Sequence, residues 1–202
     1  MPAPRAIGLA IAALLVSAGC SGPAVDADNG RTPAAHAAAG LGRQTAPPWD
    51  APTDAVRFIQ DAGLPPLKAE GSVVHYHAHL DVIVDGQPVP VPALIGIDEG
   101  ARRISPLHTH DRSGVVHIEA PGKDSLSLGQ LFTEWDVRLT QDCLGSLCAD
   151  DGKALRLYVN GKQRSGDPSS LFLAKHQEIA LVYGDATDSP AVPSSYDFPH
   201  GL

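Results

Sequence analysis

Six of the nine histidines lie between His75 and His117. They form the runs His75-Tyr76-His77-Ala78-His79 and His108-Thr109-His110, with His117 seven residues further on. Alternate positions of a β-strand share a face, so each run sets imidazoles side by side on one surface of a strand. A neutral imidazole nitrogen is the commonest protein ligand for zinc, copper and nickel. The spacing therefore predicts a histidine-lined metal site, with His77, His79, His108 and His110 as ligands and His117 as a fifth ligand or a partner of one. His75, farther from the strand centre, is a possible additional ligand. Asp81, Asp111 and Glu119 are placed to accept the distal imidazole N–H and so fix the ring tautomer.

Two other readings of the same residues stay open, a hydrogen-bonded structural network and a pH-responsive cluster. One histidine on a solvated sheet face is ordinary. Several adjacent ones repel each other when protonated and cost several kcal/mol, to order of magnitude, when buried unpaired. A metal removes both penalties. Zinc and copper both accept three or four such ligands at about 2.0–2.2 Å, and the ligand types do not separate the two. The one methionine is Met1, which is expected to leave with the leader, so a thioether copper(I) site is excluded. A blue-copper centre requires a cysteine ligand.

These residues must be carried on β-structure. From Val74 to Val84 the even positions are apolar, whereas His75, His77, His79 and Asp81 occupy odd ones, the period of a strand with one core face. Asp85-Gly86 predicts a hairpin turn, and Pro88, Pro90 and Pro92 confine the returning strand to a sheet edge. Ile104 to His110 and Val115 to Glu119 read as a second hairpin, its register setting His110 opposite Val115 and His108 opposite His117. Thr53 or Asp54 can cap a helix through Ala62, and Ser127-Leu128-Gly129-Gln130 has the form of a capping box. Strands Ala154 to Val159 and Glu178 to Tyr183, with an Asn160-Gly161 turn, complete six or seven strands. The fold class expected is mostly β, an antiparallel sandwich or open barrel with two short helices.

The flanks are of a different kind. Arg5 followed by the apolar stretch Ile7 to Val16 is too short to span a bilayer and fits a signal-peptide core. With Ser17-Ala18-Gly19-Cys20 behind it, the leader resembles the bacterial lipoprotein signal, whose lipobox ends in an invariant cysteine. The resemblance implies cleavage after residue 19 and lipidation of Cys20, hence a lipid-anchored protein on the extracytoplasmic face of the cell membrane. Ser17 departs from the leucine usual three positions before that cysteine. Residues 20–52, rich in Ala, Gly and Pro, are expected to be a flexible tether, 53–186 the histidine-bearing domain, and 187–202 a Pro- and Ser-rich, extended or loosely packed tail. Cys143 and Cys148 are then expected to form a disulfide, with a CXXXXC metal pair as the alternative.

Charge and motif content bound the function. Loss of residues 1–19 takes the formal charge from −8 to −9, which argues against a nucleic-acid partner. There is no phosphate loop, dinucleotide fingerprint or nucleophile motif. The His-x-His pair departs from the cupin pattern, since the next glutamate after His110 is Glu119. The run Leu107-His-Thr-His-Asp with Ser113-Gly-Val-Val-His-Ile-Glu resembles a motif of exported proteins of unknown activity. Three functions are compatible with these residues: a metal-binding surface lipoprotein exchanging zinc or copper with donor or acceptor proteins, a metal-dependent enzyme with an open three-histidine site, and a non-metal cell-surface interaction domain.

Overall fold

An eleven-residue strand, β1 (Val74–Val84), organises the domain. In chain order the elements are α1 (Ala55–Asp61), β1, β2 (Gln87–Val89), β3 (Ile97–Asp98), β4 (Arg103–Ile104), β5 (Leu107–His108), β6 (Val115–Ala120), α2 (Leu128–Glu134), β7 (Cys143–Leu144), β8 (Leu147–Cys148), β9 (Lys153–Val159), β10 (Lys162–Arg164), a 3-10 turn at Pro168–Ser170, and β11 (Glu178–Asp185). The computed structural model describes residues 1–2, 42–122, 125–150 and 152–202. The expected leader, Cys20 and most of the expected tether lie outside them. Residues 42–202 belong to one compact unit.

Seven strands form the main sheet in the order β10-β9-β11-β1-β6-β5, with β2 paired to the far end of β1. The sheet curls into an open half-barrel, as the alternating pattern predicts. Ala78, Leu80 and Val82 of β1 point inward with Val116 and Ile118 of β6 and Ile179 and Leu181 of β11. Leu128, Leu131, Phe132 and Trp135, on and just after α2, close this core. The capping box that starts α2 is present, Ser127 accepting from the Gln130 backbone and Gln130 reaching back. Asp85-Gly86 and Asn160-Gly161 both take positive φ, the geometry of tight hairpin turns. β2 pairs with β1 as the proline positions require. Cys143 and Cys148 are disulfide-bonded across β7 and β8.

Four expectations are corrected. The sheet is not wholly antiparallel, because β11 runs parallel to β1, pairing His79 with Glu178 through Val84 with Tyr183. Buried on both faces, β11 has the setting usual for a parallel strand. The segment read as Ile104 to His110 is split: Ile104 pairs with β3, and the ladder with β6 is only Leu107–His108. Thr109 draws the chain away by bonding Pro92 O and the Leu94 and Ile95 amides, so His110 does not face Val115 in a strand. The tether ends before residue 52, since Trp49 is buried, packs edge-on to Trp135 and accepts its indole N–H. The tail is not loose either. Val192 packs on Ala180 and Val182, Tyr196 stacks on His79, and Phe198 stacks on His176.

Candidate metal centre

β1 and β6 pair antiparallel with His77 opposite His117 and His75 opposite Glu119, and β5 pairs with β6 so that His108 is also opposite His117. Three neighbouring strands thus put His75, His77, His108, His117 and Glu119 on one face. His110, just beyond β5, completes the group, its ring edge-on to those of His108 and His117. This face is not the solvated surface the alternation suggests. His77 is 2% exposed, His108 0% and Glu119 3%.

The ligand atoms converge. His77 Nε2 lies 3.1 Å from His117 Nδ1, which lies 3.1 Å from Glu119 Oε1; the third side, His77 Nε2 to Glu119 Oε1, is 3.9 Å. Ligands about 2.1 Å from a tetrahedral ion stand about 3.4 Å apart, so this triangle has the dimensions of a tetrahedral face. His75 Nε2 is 3.4 Å from the same carboxylate oxygen. On the other side, His108 Nε2 is 3.2 Å from His110 Nε2, which is 3.4 Å from Glu70 Oε1. Three sets each have ligand atoms within 4.8 Å of one another and could hold a metal: His108, His110 and His117; His75, His77 and Glu119; and Glu70, His108 and Glu119.

Hydrogen bonding alone does not satisfy the triangle. His117 Nδ1 can donate to Glu119 or accept from His77, but one ring atom cannot do both. Glu119 Oε2 is buried with no hydrogen-bond partner. A cation held by His77 Nε2, His117 Nδ1 and Glu119 Oε1 would resolve the first deficit and leave Oε2 without a partner. Electrostatics also leave the rings ready to ligate. Burial, reinforced by the neighbouring imidazoles, pushes the pKa of His77 down to about 4 and that of His117 to about 4. Burial pushes His108 down to about 3, against the opposing effect of its bond to Ser105. Glu119 is shifted up, by burial first and then by the nearby Glu70 carboxylate.

His108 is oriented from behind. Its Nδ1 donates to Ser105 O at 2.9 Å, which directs the Nε2 lone pair towards His110. Ser105 Oγ in turn bonds the fully buried Glu134 carboxyl and accepts from the Leu107 amide. Burial raises the Glu134 pKa well above the usual carboxylate range, against the opposing effect of the Ser105 hydrogen bond. Ser105 and Glu134 carry no motif that sequence reasoning could have caught. Glu70 sits before β1, 40 residues from His110, and has no periodic link to the histidines.

Four predicted residues are placed differently. His79 leaves the cluster: its Nδ1 lies 2.9 Å from Glu178 Oε2 and its Nε2 2.8 Å from Ser113 O. Both ring nitrogens are thus engaged, one with Glu178 and one with the Ser113 carbonyl, and neither is turned to the cluster. Burial opposes protonation, but the Glu178 hydrogen bond and carboxylate outweigh it and raise the pKa. Asp81 accompanies His79 and Glu178 in a separate group that meets the same 4.8 Å spacing, away from the histidine cluster. Asp111 accepts from the Ser113 amide and braces the β5–β6 loop rather than an imidazole. Glu119 is inside the cluster, as a candidate ligand and not as an outer partner. His176 bonds Leu202 O and stacks on Phe198, apart from the site. Comparison with protein-family models, curated proteins and solved structures finds no significant match to this chain.

Proposed function

We propose that this protein is a membrane-anchored, extracytoplasmic metal-binding lipoprotein whose histidine cluster holds zinc or copper. The observation that carries the reading is the triangle of His77 Nε2, His117 Nδ1 and Glu119 Oε1, spaced for a common ion. Neutral imidazoles behind a mostly buried face are the donor set both metals favour. The anchor rests on the leader and Cys20, and the disulfide between Cys143 and Cys148 accords with an oxidising compartment. On this reading the domain buffers or hands on metal at the membrane, with donor or acceptor proteins as partners.

Elemental analysis of protein purified without a histidine tag tests the central claim. Zinc or copper bound stoichiometrically, and lost in His77→Ala and His117→Ala, supports it. A metal-free protein that takes up neither ion on dialysis overturns it and leaves a surface interaction domain. Membrane fractionation tests the anchor: Cys20→Ala should release the protein, and retention in the membrane fraction at high salt would disprove lipid attachment.

One observation favours a second reading, a metal-dependent enzyme. A shallow open groove of about 420 Å³ is lined by Lys68, Glu70, Arg102 and Arg103 among others, and Glu70 borders the cluster at His110. An open coordination position there would let an ion activate water beside a substrate. Turnover of an anionic ester by the metal-loaded protein, abolished by Glu70→Gln, would favour it.

A further inference from the structure

The cluster contains more donors than one ion can use. His75, His77, His108, His110, His117, Glu70 and Glu119 fall within the three interlocking sets, whereas zinc takes four ligands and rarely five. The surplus is not peripheral. His77 and His108 are both buried, and they lie in different sets, so one ion at either end leaves the other buried ring without a cation.

Glu119 joins the two ends. It belongs to the set with His75 and His77 and also to the set with Glu70 and His108. Its Oε1 is the atom that meets His75, His77 and His117, while Oε2 is buried and unpartnered. A carboxylate with one oxygen engaged and the other idle, shared by two ligand sets, has the form of a bridge. We propose that the centre is dinuclear. One divalent transition-metal ion sits among His75, His77 and His117 on Glu119 Oε1, and a second among His108, His110 and Glu70 on Glu119 Oε2. Paired ions bridged in this way stand about 3.5–4 Å apart.

This inference rests on the metal-binding reading, and stoichiometry distinguishes the two. The tag-free protein is loaded with zinc, dialysed, and measured by native mass spectrometry. Two ions per chain are expected. Because His75 and Glu70 are both largely exposed, His75→Ala and Glu70→Gln should fold normally, and each should reduce the count from two to one. Asp81→Asn, in the separate His79 group, should leave it at two. With copper(II) in place of zinc, electron paramagnetic resonance should show a spin-coupled pair. One ion per chain in the unmutated protein overturns the dinuclear proposal and leaves metal binding intact. No bound ion overturns both. Two uncoupled ions, or loss of one in Asp81→Asn, would place the second ion at His79 and refute the Glu119 bridge.

Discussion

His108 is fixed at both edges of its ring, by Ser105 O on Nδ1 and by the cluster on Nε2. Its removal therefore costs a ligand and strands a buried carbonyl. His108→Ala should weaken zinc affinity by at least about tenfold, the scale at which loss even of an outer partner is felt. His200→Ala should leave affinity unchanged; competition against a chromophoric chelator measures both, and equal effects would remove His108 from the site. Gly96 supports the same corner. It has φ +71, and an added Cβ would lie 2.4 Å from Leu107 O and 2.6 Å from Glu134 Oε2. Gly96→Ala should destabilise the domain by about 1–3 kcal/mol through backbone strain alone, with more from the clash. Urea denaturation checks it, and an unchanged midpoint would show that this turn relaxes freely.

At the scale of elements, the site depends on three strands holding register, and that register is set by what lies beneath them. Ala78, Val116 and Ile118 are buried on the inner face directly behind the histidines. A slip of one residue would turn His77 inward and Ala78 outward, so the hydrophobic face enforces the histidine face. α2 covers this part of the core, and its capping box links helix stability to the sheet. Ser127→Ala should cost about 1 kcal/mol, the usual value of a lost N-cap. A thermal melt detects it, and no shift in Tm would mean that the Gln130 half of the box suffices.

At the scale of the whole molecule, two buried histidines and the half-buried His117 make stability depend on pH. The folded-state pKa values of His77, His108 and His117, at about 4, 3 and 4, lie below the ordinary value of 6.5. Between those limits the unfolded chain binds more protons, so stability rises with pH. The metal-free domain should be most stable above about pH 6.5 and lose stability progressively as pH falls towards 4. Bound zinc should add stability at neutral pH and lose that effect over the same interval, because protonated imidazoles cannot ligate. Melts with and without chelator from pH 7.5 to 4 measure this. A flat metal-free profile would show that these rings protonate without penalty. The tail acts at this scale too. Deleting residues 187–202 would uncover Ala180, Val182 and the stacked face of His79, and should lower Tm by several degrees.

Much of this was legible in the chain because it is local. Period-two alternation gave β1 a core face and a histidine face. Asp85-Gly86, Asn160-Gly161 and the Ser127–Gln130 box declared two turns and a helix start through their own backbone preferences. Pairing His108 with His117 needed only a hairpin, and that pairing is observed. What local preference does not contain is which distant segments meet. His79 has the same spacing as His77, yet Glu178, 99 residues away, captures it once β11 docks parallel to β1. Glu70, Ser105 and Glu134 reach the cluster only through the folded path of the chain. Trp49 and the C-terminal tail, polar and proline-rich in their neighbourhoods, are held by the surfaces they cover. The sequence by itself determined the candidate ligand types and the faces they occupy, since side-chain chemistry and strand period are properties of a few adjacent residues. The tertiary structure alone decided which ligands share a site, because long-range strand pairing is set by burial summed over the whole core.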